Sequence, residues 1–537
     1  MQCSKALLIA AHQHSVYDWI SILRRVHYSE YADHASSTQA TKHRSRHQMN
    51  ELPQPDRCDV LIYGGHVIDG TGSKSFSGDV AISGDRICAI GDLRKIRAEQ
   101  LIDATDHVIA PGFIDVHAHD DQILLKNPEV TPKLSQGVTT VVIGNCGVSL
   151  SPWLADQDPP PPMNLIGSQQ DYCFPTFESY RLTLERNPPA INAAPLIGHS
   201  TLRCSTMQTL NRPATYKETE NMRLKLISSL KAGAIGFSTG LAYPPNQAAT
   251  PEEVITLARE LQDFGGVYAT HMRNEGDQLF EAMEESFYTA RRAKCPLIIS
   301  HHKCASPKMR GRSLESLAKI DTAAEQHPVG FDVYPYTAGS TILREDHIEL
   351  SRKILITWSD RKPEACGKTL SDLAVEWNCD LVDAMRRLQP GGGIYFMMDD
   401  RDVDNILSHP KSMIGSDGLP HDKHPHPRLW GTFPRVLGYY VREKKLLSLA
   451  LAIHKMTGLS ASTFQLSDRG SIENGKFADI VVFNPTLIRD NASFERPKEI
   501  AAGIHSVLVN GVIAWQNNSG TGARTGRILQ NKKSTYI

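Results

Sequence analysis

The 537-residue sequence predicts an α/β protein: a TIM-type (β/α)8 barrel with a small β-sandwich domain built from both chain ends and an inserted subdomain before the last barrel strand. Three observations predict this fold. Strand-like runs alternate with helical segments through the middle of the chain. Short strands separated by glycine-rich turns occur near both ends. A stretch much longer than a normal loop interrupts the alternation before its last strand.

The predicted β-domain combines residues 55–110 with residues 470–535. The first segment contains CDVLIYGGHVIDGTG, SGDVAISGDRICAIG and LIDATDHVIA, with no long helical segment between them. Matching patterns return near the other end in GSIENGKFADIVVFNP and SVLVNGVIAWQ. Because chain ends often lie near one another, we expect the two segments to form one domain.

The predicted barrel spans residues 111–469. An open doubly wound sheet is the alternative for such an alternation, but no G-x-G-x-x-G follows the first strand. Residues 338–411 contain helical patterns of their own, such as SDLAVEWNCDLVDAMRRL, and we expect an inserted subdomain or a lid over the barrel mouth. The eight predicted strands are residues 112–119, 137–144, 194–200, 233–240, 266–271, 296–302, 330–336 and 412–417.

Helices fit between most pairs of these strands. The clearest is TPEEVITLARELQDFG, in which Thr250 is the predicted N-cap and Pro251 the first helical residue. Glu253 is expected to complete a capping box, and Gly265 to end the helix. YKETENMRLKLISSLKAG and EGDQLFEAMEESFYTARRA are further predicted helices.

Residues 1–54 are predicted to be a disordered or dispensable N-terminal extension. Residues 34–49, HASSTQATKHRSRHQM, are polar and basic without periodicity. The opening MQCSKALLIAAH has a short apolar segment, but His, Asp and Arg follow where a cleavage site would lie, which disfavours a secretory signal. An internal start after Met49 and a targeting role are the alternatives to a plain extension.

The composition is that of an ordinary globular protein, with 40% hydrophobic residues, 22% charged residues and a net charge of −1. It argues against nucleic acid as the main partner, and no apolar run approaches the ~18 residues that a membrane span needs. The ten cysteines form no CxxC pair, which favours a reducing cytoplasm over a disulfide framework. We predict a small-molecule substrate and no membrane partner; the composition predicts no oligomeric state.

The predicted site lies where the barrel strands end, because barrel enzymes assemble their sites at the carboxyl ends of the strands. In VIAPGFIDVHAHDD, His117 and His119 are separated by one residue and so point to the same face of a strand. A lone histidine is more often a core residue, and a lone cysteine is more often an inert thiol. Several of them at different strand ends, followed by a carboxylate, instead favour a zinc site. The strand ends carry His117, His119, Cys146, His199, Thr239, His271, His301, His302, Tyr334 and Asp417.

The motifs on these strands resemble those of a known family. They include PGFIDVHAHDD, GVTTVVIGNCGVSLSP, GFSTGLAYPP, YATHMRNEG, ISHHK, DVYPYTAGST, GSDGLP and GKFADIVVFNP, in this order. The chain from about residue 55 to 535 resembles the amidohydrolase superfamily and, within it, the N-acyl-D-amino-acid deacylases (D-aminoacylases). The fourth strand ends in FSTG and lacks the bridging lysine common in hydantoinases and dihydroorotases, which favours the deacylases.

The resemblance implies an enzyme that hydrolyses linear amide bonds of N-acyl-D-amino acids with zinc as cofactor. Cys146, His271 and His301 resemble the ligands of one tightly held zinc. His117, His119 and Asp417 resemble those around a second, weaker metal position. His302 would face the other way on a regular strand and ranks second as a ligand.

The resemblance also suggests roles in catalysis and substrate binding. Asp417 is expected to act as general base and then general acid, the alternatives being a pure ligand or an orienter of a histidine. Tyr243 or His199 is the expected donor to the oxyanion, with a structural role equally expected for His199. Tyr243 is also expected to bind substrate by lining the acyl or side-chain pocket, with loop packing as the alternative. The predicted α-carboxylate clamp is Lys303, Tyr334, Ser340 and Arg428, with a solvated loop position as the alternative for Arg428.

Two other functions remain open from the sequence. One is a related cyclic amidase or dipeptidase activity on the same scaffold. The other is a non-catalytic scaffold protein, which the presence of every expected ligand disfavours.

Overall fold

The computed structural model describes residues 56–530, so the predicted extension at residues 1–54 lies outside the described part of the chain. The strands are β1 Arg57–Val67, β2 Phe76–Ser83, β3 Arg86–Gly91, β4 Arg97–Asp103, β5 Val108–Pro111, β6 Phe113–Asp115, β7 Val138–Ile143, β8 Trp153–Leu154, β9 Cys173–Phe174, β10 Asn192–Gly198, β11 Gly236–Gly240, β12 Val267–His271, β13 Leu297–Ile299, β14 Val329–Val333, β15 Ala338–Ile342, β16 Ile354–Ser359, β17 Gly391–Phe396, β18 Ser412–Ile414, β19 Ile480–Phe483, β20 Ile504–Val509, β21 Val512–Gln516 and β22 Ser519–Gly520.

The α-helices alternate with these strands through the middle of the chain. They are α1 Ile123–Lys126, α2 Thr131–Leu134, α3 Phe177–Arg186, α4 His199–Cys204, α5 Tyr216–Lys231, α6 Pro244–Gln247, α7 Pro251–Ala258, α8 Leu261–Phe264, α9 Leu279–Ala293, α10 Ser313–Ala324, α11 Leu370–Glu376, α12 Leu381–Leu388, α13 Asp400–Ser408, α14 Arg428–Arg435, α15 Leu449–Met456 and α16 Gly458–Thr463.

The central sheet has eight strands that all run parallel, in the order β6-β7-β10-β11-β12-β13-β14-β18. Its first and last strands meet beyond their ends, where the Asp417 N–H donates to the His117 carbonyl at 2.8 Å and Ala118 bridges to Gly418. Each predicted barrel strand overlaps one of the eight, several of which are shorter than predicted, so the predicted (β/α)8 barrel is confirmed. Closure brings the first and last strands, and the residues that follow them, side by side.

A second sheet joins the two chain ends. Its order is β22-β21-β20-β19-β5-β1-β2-β3, with β4 paired to β1. The link between the ends is the antiparallel pair β5 and β19, in which Ala110 lies opposite Val481. Strand β1 contributes Val60 and Ile62 to one apolar cluster and Leu61, which lies between them, to another, as alternation of side chains between the two faces of a strand requires. The predicted β-rich domain from both termini is therefore confirmed.

Between the seventh and eighth barrel strands the chain forms a separate antiparallel sheet, β15-β17-β16, with α11 and α12 beside it. Helix α13 follows and packs against α10 and β18 of the barrel. The chain thus leaves the barrel after β14 and returns to it before β18, as the predicted fold class requires.

Helix starts follow the sequence with one informative exception. The Thr250 side chain accepts from the Glu253 N–H at 3.2 Å, as expected for an N-cap, and Gly265 lies at φ +64° after α8. Glu253 does not complete the capping box; its carboxylate is buried and contacts His199 and Arg203. The Glu253 carboxylate therefore pairs with His199 and Arg203 instead of accepting the backbone N–H of the N-cap residue.

Over the described residues, the helices are all too short or too polar to cross a membrane.

Candidate metal centre

The six predicted ligand residues meet at the carboxyl end of the barrel. Ligand atoms of His117, His119, Cys146 and Asp417 form one group, and those of Cys146, His271 and His301 form another; within each group all atoms lie within 4.8 Å of one another. Cys146 belongs to both groups. Residues from five separate parts of the chain therefore converge around a single thiol.

The contacts within the cluster are close. The Cys146 Sγ lies 3.2 Å from His117 Nε2 and 3.3 Å from His301 Nε2. The Asp417 Oδ1 lies 3.2 Å from His119 Nε2 and 3.6 Å from His117 Nε2. Imidazole nitrogens, a thiol sulfur and a carboxylate oxygen all point at the same small volume, which is the donor set that zinc prefers.

Three of these residues have backbones in the left-handed region. The φ angles are +53° at Cys146, +38° at His301 and +49° at Asp417, and none of the three is a glycine. Such conformations cost of order 1–3 kcal/mol each and persist only where the surrounding structure demands them. Each follows the end of a barrel strand, so the backbone is strained at three of the points that supply cluster side chains.

Two carboxylates that the sequence reasoning missed hold the cluster histidines. Asp332, on β14, places Oδ2 3.3 Å from His117 Nδ1 and accepts the His301 backbone N–H through Oδ1 at 3.0 Å. Glu275 places Oε1 2.9 Å from His301 Nδ1 and Oε2 3.6 Å from His271 Nε2. A carboxylate at one ring nitrogen orients the histidine and leaves its other nitrogen free to bind a metal.

Beneath the cluster, a buried lysine ties the first and last strands together. The Lys133 ammonium donates to Asp115 Oδ2 and to Ser416 Oγ, both at 2.6 Å. The Asp115 Oδ1 accepts the backbone N–H groups of His117 at 3.2 Å and of Ser416 at 2.8 Å. These bonds hold the backbone immediately before His119 and Asp417.

The electrostatics of the cluster favour neutral histidines and an ionised aspartate. Burial lowers the pKa of His117 to about 3 and holds the pKa of His271 well below its usual value. Burial would raise the pKa of Asp417, but the Arg428 guanidinium and His117 hold it well below its usual range. Burial, with Asp417 and Glu275 nearby, raises the pKa of the Cys146 thiol well above its ordinary value. A metal ion bound to the Cys146 sulfur would instead lower the pKa of the thiol, because the ion takes the place of the proton on sulfur.

A cavity of about 290 Å³ opens beside the cluster, with His271, His301 and Asp417 in its wall. Of the predicted substrate-binding residues, Tyr243, Lys303, Tyr334 and Ser340 also line it. The Lys303 ammonium contacts Glu275 Oε2 at 2.7 Å and lies 5.9 Å from the centre of the Tyr334 ring. The Tyr243 ring lies 4.8 Å from that of His271, and its hydroxyl contacts Thr341 Oγ1 at 2.9 Å.

Arg428 lies behind this surface rather than in a solvated loop. It is fully buried at the start of α14, with Nη1 2.9 Å from Asp417 Oδ2 and its guanidinium 4.5 Å from the centre of the Tyr334 ring. Its Nη2 donates to the Ser340 carbonyl at 3.2 Å. Arg428 therefore contacts both Asp417 and two other residues of the predicted carboxylate clamp, Tyr334 and Ser340.

The remaining strand-end residues lie outside the cluster. His302 faces away from the cluster and contacts Ser316 Oγ at 2.9 Å, as predicted for the residue that directly follows His301. His199 Nε2 contacts Glu253 Oε1 at 2.9 Å, and the Thr239 hydroxyl donates to Thr270.

Fold and site together define a class: barrel enzymes that hold metal at the carboxyl ends of their strands. The Amidohydrolase family model matches residues 100–371 and 321–514, and the chain belongs to this family. Curated relatives then place it more narrowly. The chain is 49% identical to the D-aminoacylase, 46% to the N-acyl-D-aspartate deacylase and 44% to the N-acyl-D-glutamate deacylase of Alcaligenes xylosoxydans xylosoxydans. The alignments cover 88–89% of this chain and 97%, 95% and 98% of the three relatives. The chain therefore belongs to the N-acyl-D-amino-acid deacylase family of hydrolases.

Solved structures agree with this placement. The crystal structure of D-aminoacylase matches with a TM-score of 0.87 and 49% identity, over 88% of this chain and all of that one. An N-acyl-D-glutamate deacylase from Bordetella bronchiseptica, complexed with zinc and a phosphonate inhibitor that mimics the tetrahedral intermediate, matches with a TM-score of 0.86 and 42% identity, over 88% of this chain and all of that one. A further D-aminoacylase structure was solved to define the role of its binuclear metal centre.

Proposed function

We propose that this chain hydrolyses the amide bond of N-acyl-D-amino acids and releases a carboxylate and the free D-amino acid. The observation that carries the proposal is the convergence of Cys146, His271 and His301 with Asp417 at one cavity. The names of the three curated relatives support the substrate class, since each acts on an N-acyl-D-amino acid or is a D-aminoacylase.

The donor set fits zinc. Thiolate and imidazole are preferred zinc ligands, and a zinc site with three protein ligands keeps a position open for water or substrate. We assign the tightly held ion to Cys146, His271 and His301. His117, His119 and Asp417 form the second and weaker position, with the Cys146 sulfur within reach of both.

Zinc, when bound, supplies a Lewis acid and lowers the pKa of water from 15.7 toward ~7. Asp417 supplies the proton transfers. Its Oδ1 faces His119 and its Oδ2 is held by Arg428, which orient the carboxylate, and its pKa lies well below its ordinary range, so it is ionised. It takes a proton from the attacking water and passes it to the departing amine.

The substrate is positioned by residues that line the cavity next to the metal ligands, the Lys303 ammonium lying 2.8 Å from His301 Nδ1. Lys303, Tyr334 and Ser340 bind its α-carboxylate, because an ammonium and hydroxyl groups converge there. Arg428 adds positive charge from behind, and its Nε–H has no hydrogen-bond partner among the described residues. Tyr243 lines the cavity, and we assign its hydroxyl, which contacts Thr341 Oγ1 at 2.9 Å, as a donor to the oxyanion.

The test is steady-state hydrolysis of paired D- and L-N-acetyl amino acids by the wild type and Asp417→Asn. We expect turnover of D forms alone and a loss of several orders of magnitude in the variant. Asp422→Asn is the matched control, since Asp422 is also a buried aspartate but lies outside the cluster. Turnover of L forms would overturn the substrate assignment, and an unimpaired Asp417→Asn would overturn the base role.

Two further substrates separate this activity from related ones. A hydantoin and a β-aspartyl dipeptide should not be hydrolysed at rates that compete with N-acetyl-D-methionine. A protein that contains no zinc and stays inert after zinc is added would favour a scaffold role instead.

The cysteines among the described residues are all unpaired, which supports the reducing cytoplasm that the sequence predicts.

A further inference from the structure

The thiol that both ligand groups share is carried by a tight turn directly after β7, residues 144–147, named here the thiol turn. Gly144, Cys146 and Gly147 all have backbones in the left-handed region, with φ angles of +75°, +53° and +76°. Glycine adopts this conformation without strain, whereas a residue with a side chain keeps it only where its surroundings fix it. Contacts from outside the turn must therefore hold Cys146 in place.

The thiol turn lies directly against the ends of two neighbouring barrel strands. A side-chain carbon at Gly144 would lie 2.1 Å from the carbonyl oxygen of Leu196 on β10. A side-chain carbon at Gly147 would lie 2.8 Å from the backbone nitrogen of Gly240, the last residue of β11. At this separation a short side chain on β10 or β11 is long enough to reach the backbone of the turn.

Ser238, on β11, supplies such a side chain. Its hydroxyl donates to the Gly144 carbonyl at 2.5 Å and accepts the Gly147 N–H at 3.0 Å. A hydroxyl has one donor and two acceptor lone pairs, so both hydrogen bonds form at the same time. Ser238 is fully buried, which shields both bonds from bulk solvent. One hydroxyl therefore joins the two ends of the thiol turn across Asn145 and Cys146.

Other contacts hold one end of the turn each. The Ser200 N–H donates to the Gly147 carbonyl at 2.8 Å, and the Asp121 Oδ2 accepts the Gly144 N–H at 3.2 Å. In the part of the chain that the structure describes, Ser238 alone has a side chain that bonds both ends. Its hydroxyl therefore fixes the direction in which the turn presents the Cys146 side chain.

That direction matters because the Cys146 sulfur has partners on two sides. It lies 3.2 Å from His117 Nε2, in one ligand group, and 3.3 Å from His301 Nε2, in the other. A turn that opened or tilted would carry the sulfur away from at least one of them. Residues that hold a metal ligand in its orientation tune the affinity of the site although they do not touch the metal.

We propose that Ser238 is a positioning residue for the metal centre, whose hydroxyl keeps the thiol turn closed so that the Cys146 sulfur reaches both ligand groups. This proposal rests on the proposed deacylase function and adds a residue to its metal site.

The first experiment measures zinc affinity by competition with a metal chelator. Ser238→Ala removes the hydroxyl and leaves the Gly144 carbonyl and the Gly147 N–H without this partner. We expect zinc to bind about 10–100-fold more weakly than in the wild type, as for other residues that orient a metal ligand. Unchanged zinc affinity would overturn the proposal.

Ser359→Ala is the matched control, because it removes the same pair of hydrogen bonds from the inserted sheet. Buried Ser359, on β16, donates to the Leu388 carbonyl at 2.6 Å and accepts the Lys362 N–H at 3.0 Å. Urea unfolding of the metal-free proteins should show a similar loss of stability in the two variants, while Ser359→Ala keeps the zinc affinity of the wild type. Equal weakening of zinc binding in both variants would trace the effect to stability rather than to the position of Cys146, and would overturn the proposal.

The second experiment replaces zinc with cobalt(II), whose bond to a thiolate absorbs in the near ultraviolet and so reports the geometry at the sulfur. At full occupancy, Ser238→Ala should show a shifted or weakened thiolate band, whereas Ser359→Ala should match the wild type. A Ser238→Ala spectrum identical to that of the wild type would overturn the proposal. A zinc-loaded wild type that does not hydrolyse N-acetyl-D-methionine would instead overturn the deacylase function, and the two metal-binding measurements would still decide the role of Ser238.

Discussion

Two buried charged clusters lie next to each other at the carboxyl end of the barrel, and they are balanced in different ways. In the lower one, Lys133 neutralises Asp115 and also binds Ser416. In the upper one, Lys303 and Arg428 are committed to Glu275 and Asp417, and the thiol of Cys146 lies among imidazole nitrogens. The cation of the lower cluster binds its buried carboxylate, whereas the cations of the upper one bind Glu275 and Asp417 and leave the thiol and the imidazole nitrogens that face it able to bind a metal ion. The difference separates a structural cluster from a metal site.

The largest effect should come from removing the shared thiol. Cys146→Ser should lose bound zinc and roughly four orders of magnitude of kcat/KM, because the activated water is lost with the metal. Zinc per chain by elemental analysis and hydrolysis of N-acetyl-D-methionine measure both effects. Cys295→Ser, which alters another buried thiol outside the cluster, is the control and should keep its metal. Full zinc content in Cys146→Ser would remove the distinction between the clusters.

The next effect tests the internal cation. Lys133→Met leaves the Asp115 carboxylate buried without its partner, so unfolding free energy should fall by about 3–5 kcal/mol. Urea unfolding of the zinc-loaded protein measures it. Lys368→Met removes an exposed ion pair to Glu376 and should cost less than about 1 kcal/mol. An equal free energy of unfolding for the two variants would show that the lower cluster does not stabilise the fold.

A smaller effect is expected at the carboxylate that orients His301. Glu275→Gln keeps the shape but weakens the hold on His301 and on Lys303, and should reduce zinc affinity or kcat/KM by about 10–100-fold. Competition with a metal chelator gives the affinity. The exposed Glu281, on α9, supplies the control Glu281→Gln, which should behave as the wild type. A variant with normal affinity and normal kcat/KM would contradict the orienting role.

The smallest effect concerns a buried cluster on the outer side of the barrel. Burial would raise the pKa of Glu253, but contacts with His199 and Arg203 lower it to about 2. Because its pKa is lower in the folded chain than the ~4.3 of an unfolded one, its stabilisation is complete above about pH 5 and is lost as the pH falls toward 2. Glu253→Gln should therefore be less stable by about 1–3 kcal/mol at pH 7. The difference from wild type should shrink in thermal unfolding at pH 4 and pH 3, and a constant difference would contradict the assignment.

Sequence reasoning placed the ligand residues because each follows a strand with a recognisable pattern. It missed Asp332, Glu275 and Lys133, whose partners lie far away in the chain. Asp332 and His117, for example, are 215 residues apart. It also treated Glu253 as part of a cap, since the nearest polar group is the default partner when distant ones are unknown.

The sequence by itself determined the alternation of strands and helices, the β-rich ends and the positions of thiol, imidazoles and carboxylate at strand ends. These follow from local periodicity and from which residue types bind zinc. Only the tertiary structure decided that one thiol serves two groups of ligands and that Arg428 lies buried against Asp417. Charges act through space, so their balance depends on which distant segments the closed barrel brings together.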